Sequence, residues 1–163
     1  MKIRPLFLLA GMFVVGRLSA ETTATTSGVA TCKPEPATPV ALTDKPNHFL
    51  SIGRAQCGWT GFEVAGQPSK NGVSTDLEEI TGDSVVSVRG YFVSTMLGGD
   101  TTTVRYQGSS KVKDGKFVSG EGTWTYTSGT GKLKGIKGKG KYKGTPNADG
   151  TVSYKVDGEY RLP

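Results

Sequence analysis

From position 47 to the C-terminus, apolar and polar residues alternate instead of recurring at three- and four-residue intervals, the pattern of half-buried strands rather than helices. The clearest run sets Val152, Tyr154, Val156 and Tyr160 on one face and Thr151, Ser153, Lys155, Asp157 and Glu159 on the other. Similar alternation predicts strands over 85–93, 101–107, 116–127 and 136–143. Between these runs stand Leu97-Gly98-Gly99-Asp100, Lys113-Asp114-Gly115-Lys116 and Asn147-Ala148-Asp149-Gly150. Their Gly and Asp suit tight hairpin turns, so the neighbouring strands are antiparallel. Segments 49–54 and 58–64 add one or two strands, and 74–80 reads as a further strand or a short helical connection. Short strands with a turn about every ten residues must hide their edges by closing or by stacking. Gly138, Gly140, Gly144 and Gly158 fall inside apparent strands, where glycine is costly unless the sheet coils tightly. The predicted fold is all-β, a calycin-like closed antiparallel barrel of about eight strands.

The residues before position 47 follow other rules. Lys2 and Arg4 precede an apolar run over 6–15, and Leu18-Ser19-Ala20 closes it with a small residue, which reads as a secretory signal peptide cut after Ala20. Segment 21–46 holds no aromatic residue and carries Pro34, Pro36, Pro39 and Pro46, so it reads as an extended Thr/Pro-rich arm. The expected organisation is a signal peptide at 1–20, the arm at 21–46 and a barrel domain at 47–163. At 163 residues the chain holds one compact domain. No apolar run reaches the roughly 18 residues of a spanning helix, and Cys32 stands too far from the leader to be a lipidation site. Export implies a periplasmic or extracellular protein, where Cys32 and Cys57, the only thiols, form a disulfide. Closing that loop contributes about 3.5 kcal/mol in the chain-entropy description. The alternative, a catalytic thiol, has His48 as its only available base.

The stretch GEGTWTYTSGTGKLKGIKGKGKYKG, residues 120–144, resembles the signature of the allene oxide cyclase barrel-like family. The matching features are the aromatic-Thr strand around Trp124 and Tyr126, Gly129-Thr130-Gly131, Leu133, Gly135-Ile136 and Gly138-x-Gly140-x-Tyr142. These are small secreted or periplasmic bacterial proteins, with an architecture like that of plant allene oxide cyclases and dirigent proteins. The resemblance implies an eight-stranded antiparallel barrel whose lumen holds a small apolar molecule. It transfers no catalytic residue, because no motif here matches the plant enzymes' chemistry. On physical grounds Gly129-Thr130-Gly131 allows a tight reversal, and Leu133 and Ile136 can plug one end of a barrel.

Charge is local. The net +6 falls to +3 once Lys2, Arg4 and Arg17 leave with the leader, while Lys132, Lys134, Lys137, Lys139, Lys141 and Lys143 crowd twelve residues. Lys137, Lys139, Lys141 and Lys143 keep strict two-residue spacing, so they project from one strand face about 6.6 Å apart. They suit an anionic envelope component, or simply a solvated face that discourages edge pairing. No Arg fork or stacking aromatic shares that face, so a nucleic-acid partner is not expected. With one histidine and no ligand spacing, neither a metal nor a cofactor is expected, and His48 reads as structural. Asp76, Glu78 and Glu79 form a short acidic group, and adjacent carboxylates on a strand point apart.

Three functions fit these residues. The first is a binding module whose lumen, lined from Phe92, Tyr106, Trp124, Tyr126, Tyr142 and Tyr154, takes a small hydrophobic or amphipathic ligand. The second is an interaction protein using the lysine row. The third is a cyclase or isomerase, which needs an ionisable group inside the lumen. Arg89, Arg105 and Glu121 interrupt apparent strands and are the candidates for it.

Overall fold

The computed structural model describes residues 23–82 and 85–163. The expected signal peptide, 1–20, lies outside them. The strands are β1 (Ala24–Pro34), β2 (Val40–Ala41), β3 (His48–Thr60), β4 (Glu63–Val64), β5 (Gln67–Thr81), β6 (Val85–Met96), β7 (Thr101–Lys113), β8 (Lys116–Gly129), β9 (Lys137–Pro146) and β10 (Val152–Arg161). One 3-10 turn, Gly131–Leu133, joins β8 to β9. Every pairing is antiparallel. Strands β3, β5, β6, β7, β8, β9 and β10 form a consecutive meander, and β1 bridges its two edges. The result is a closed eight-stranded barrel, with β2 and β4 as short additions to β3 and β5. Segment 74–80, for which a helical connection was one option, lies wholly within β5.

Part of the extended Thr/Pro-rich segment is built into the barrel: Ala24–Pro34 is a stave, paired with β10 from Ala24↔Tyr160 to Cys32↔Val152 and with β3 from Val29↔Thr60 to Pro34↔Ala55. Its inward positions, Thr26, Gly28, Ala30 and Cys32, are all small. They must be, because the space they face belongs to their neighbours. A Cβ at Gly28 would stand 2.6 Å from that of Phe62. Cys32 and Cys57 are direct partners across β1 and β3, joined by a disulfide with a Cα separation of 4.0 Å. The bond points inward, among Ala30, Ala55, Trp59, Phe92 and Tyr154.

The interior is asymmetric along its axis. At one end Phe62, Val64, Met96, Trp124, Tyr126, Leu133 and Ile136 form a buried cluster. The β8–β9 connection closes this end: Gly131 and Gly135 take positive φ of 51° and 81°, and Leu133 between them and Ile136 directly after them drop into the barrel. Asp100 fixes the turn by accepting the Lys132 backbone N–H at 3.1 Å. The glycines of the alternating run make room for rings from adjacent strands. Trp124 lies over Gly140 and Gly158, Tyr142 over Gly122 and Gly108, and Tyr154 over Gly144. In each row the large residue and its glycines are register partners on neighbouring strands. Glycine, costly in a flat strand, here sets the depth at which a ring can lie.

Two outcomes follow. Cys32→Ala with Cys57→Ala should lower the unfolding free energy by about 3.5 kcal/mol, read from the denaturant midpoint. The intact bond, being buried, should resist dithiothreitol until denaturant is added, as followed by mass after alkylation. Gly158→Ala would bring a Cβ to 2.8 Å from the Gly140 Cα and into the Trp124 ring, and should cost about 2 kcal/mol or more with a changed near-UV tryptophan spectrum.

Candidate functional site

The lumen away from the plug has a different lining. Glu78, Val88, Ser110, Val112 and Phe117 occupy inward positions of their strands yet are half-exposed, so water reaches them from the end formed by the β5–β6, β7–β8 and β9–β10 hairpins. Between this mouth and the plug lies a polar belt. Asp76 and Glu78, two apart on β5, share its inward face. Asp76 sits in register with Gly53 on β3 and Gly90 on β6, and Gly90 is in turn opposite Tyr106 on β7. Because Gly90 presents no side chain between them, the Tyr106 hydroxyl reaches across β6 and donates a hydrogen bond to Asp76 Oδ2. The carboxyl carbons of Asp76 and Glu78 each lie 3.3 Å from where a Cβ at position 53 would sit. Gly53 thus leaves the room that both acids occupy.

Electrostatics follow from this setting. Burial raises the Asp76 pKa, and the Tyr106 hydrogen bond only partly opposes it. Glu78 is also raised, by burial first and then by the charge of Asp76. Tyr106 and Tyr142 are pushed far up by burial with Asp76 adding to it, and Tyr154 goes up to about 12 from burial, Asp76 and Glu78. At neutral pH the tyrosines are therefore hydroxyl donors around an acidic pair. Edge-to-face contacts link Tyr106 to Tyr142 at 5.9 Å and Tyr142 to Tyr154 at 6.0 Å, so three rings form one continuous wall. Such a belt can accept hydrogen bonds or hold a cation.

All six residues expected in the lumen lie on inward positions, but in two settings. Tyr106, Tyr142 and Tyr154 line the belt, and Phe92 packs beside the disulfide and edge-on to Trp59 at 5.6 Å. Trp124 and Tyr126 are buried in the plugged half. Arg89, Arg105 and Glu121, the ionisable groups proposed for the interior, are all exposed. The acids that do face inward are Asp76 and Glu78. Their i, i+2 spacing was the available signal, and the helical option for 74–80 concealed it.

Lys137, Lys139, Lys141 and Lys143 are exposed along the outside of β9. Acids stand opposite three of them: Glu159 to Lys139, Asp157 to Lys141 and Glu121 to Lys143. His48 is buried and structural in setting, with Nδ1 2.7 Å from Asp44 Oδ1 and Nε2 3.0 Å from Glu79 Oε1. These hydrogen bonds raise its pKa, that to Asp44 contributing most, and tie the segment before β3 to β5. Two shallow clefts, about 430 and 240 Å³, lie outside the lumen, one where β8 and β9 part at the plugged end and one across β7, β8 and β9 beside Lys143. Among the described residues no group of His, Cys, Asp and Glu is placed to hold a metal ion, and no helix is long and apolar enough to cross a membrane.

No protein-family model matches the chain, and no curated protein matches it in sequence. Solved structures do. A conserved protein of unknown function from Rhodopseudomonas palustris superposes with a TM-score of 0.53 at 13% identity, over 86% of this chain and 99% of its own. A protein of unknown function from Clostridium acetobutylicum gives 0.52 at 10% identity, over 87% and 99%. A pterocarpan synthase dirigent protein aligns over 95% of this chain and 97% of its own at 12% identity and a TM-score of 0.49. The first two likenesses establish a shared barrel fold and are silent on ligand and reaction.

Folding raises the pKa of Asp76 and of Glu78, so between the unfolded and folded values the native state holds more protons. Their contribution to stability therefore falls as pH rises through that interval and returns on acidification. Asp76→Asn should raise the thermal midpoint at pH 7 by a few degrees and leave it unchanged near pH 3, by circular dichroism melting.

Proposed function

We propose that this protein is an exported barrel that binds a small hydrophobic or amphipathic ligand in its lumen. One observation carries the reading: around the polar belt and toward the hairpin end, Glu78, Val88, Ser110, Val112 and Phe117 are half-buried on inward positions, whereas the cluster at the plugged end is buried. A lumen lined there by tyrosines and a few convergent polar groups has the chemistry of a small-molecule site. Export is part of the proposal, supported by the leader-like segment 1–20 and by the Cys32–Cys57 disulfide, a bond that persists in oxidising compartments such as the periplasm or the cell exterior. The likeness of residues 120–144 to the allene oxide cyclase barrel-like family belongs to the same reading, since the plug built from Leu133 and Ile136 is what that stretch folds into. The lysine row is the weaker basis for function, because acids on β8 and β10 face it and dilute its field.

Trp59 and Phe92 border the lumen and make fluorescence a usable probe. Titration with a panel of short alkyl and aryl amphiphiles should give saturable quenching or a spectral shift, and native mass spectrometry of gently purified protein should retain the ligand. A flat response across the panel, together with a mass equal to the polypeptide alone, would overturn the proposal.

A further inference from the structure

The geometry points to a cation site inside the lumen: Asp76, Glu78 and Ser51 are arranged to hold the protonated amine or guanidinium head of a small amphipathic ligand, with its apolar part against the tyrosine wall. This rests on the lumen-binding reading and narrows its ligand to one charge class.

Three independent features converge on one spot. Asp76 and Glu78 project from the same face of β5 into the space left by Gly53. Ser51 is the register partner of Glu78 on β3 and, two residues before Gly53, shares the inward face. It is only 4% exposed, and its hydroxyl has no hydrogen-bond partner. A buried hydroxyl without a partner is costly and rare, and beside two acids it can accept from a donor that both acids also bind. The third feature is the wall of Tyr106, Tyr142 and Tyr154, whose π-faces favour cations where water is partly excluded.

No salt bridge among the described residues supplies the pair with a positive charge. On β3 the inward neighbours are Ser51, Gly53 and Ala55, on β6 Val88, Gly90 and Phe92, and on β7 Tyr106. Two neighbouring carboxyls in a half-buried setting repel when both ionise, and after burial the charge of Asp76 is the second cause of the raised Glu78 pKa. A bound ammonium ion or guanidinium removes that repulsion and is recognised by charge-assisted hydrogen bonds. An anionic headgroup would add to it.

The test compares hexylamine, hexanol and hexanoate, matched in apolar length, by calorimetric titration into the oxidised full chain at pH 7. Hexylamine should bind at least tenfold more tightly than hexanol, with hexanoate weakest. The preference should vanish in Asp76→Asn/Glu78→Gln while hexanol affinity persists. In the unsubstituted protein it should also vanish at pH 3, where the acids are neutral, so the outcome does not depend on the variant folding. Equal binding of hexylamine and hexanol overturns the cation site and leaves the lumen reading standing. An amine preference that survives at pH 3 or in the double variant overturns it too, by placing the amine elsewhere. Tight binding of calcium alone with no amine preference would assign the acids to a metal and overturn it as well. Absence of binding by all three organic probes overturns both readings.

Discussion

The barrel depends on one seam. Seven of its eight strands are a simple meander, and a meander leaves two open edges, here the free sides of β3 and β10. Open edges expose unpaired backbone groups and invite association with other chains. Strand β1 satisfies both at once, with nine register pairs to β10 and six to β3. The disulfide ties it to β3 within the second ladder. The enclosed lumen, and every property assigned to it, exists because that short segment is held in place.

Enclosure also explains the unusual glycine content. In a barrel this size, large residues on every inward position would collide, so bulk and its absence alternate around the wall. The same device that lets Trp124 lie across β9 and β10 lets the Tyr106 hydroxyl cross β6 to reach Asp76. A structural rule for packing rings thereby sets an acid and a phenol in contact from non-adjacent strands. The polar belt is thus as much a product of Gly53 and Gly90 as of the residues that carry its charge.

Much of this could be read from the chain, and the exceptions have physical causes. The meander from β6 to β10 follows from period-two alternation and from turns with Gly or Asp where positive φ arises, at Gly99, Asp114, Gly115 and Gly150. The plug at Leu133 and Ile136 was legible because these two aliphatic residues stand in a glycine-rich reversal, Gly129-Thr130-Gly131 before them and Gly135 between them. Strand β1 was not, since its inward face carries Thr26, Gly28, Ala30 and Cys32 and lacks the aliphatic stripe by which strands are recognised. Those residues are small because Phe62 from the β3–β4 connection and Trp59 and Tyr154 from other strands fill the space, a fact of tertiary structure that no local window contains. The inward position of the six aromatics follows from alternation along their strands. The inward acids were missed because whether residues 74–80 form a strand or a helix decides which way Asp76 and Glu78 point.

The position of β1 in the chain bears on the order of assembly. Strand β1, the first of the described strands, must wait for β10, the last of them, because only its arrival shuts the cylinder. Cys57 comes much sooner. An early crosslink can dock β1 on the rim of β3 while the rest of the sheet is still forming, shielding one rim and leaving the other for β10. A barrel closed by its first and last described strands gains slowly from distant contacts, and a covalent tether between the nearer partners shortens the search for the final one.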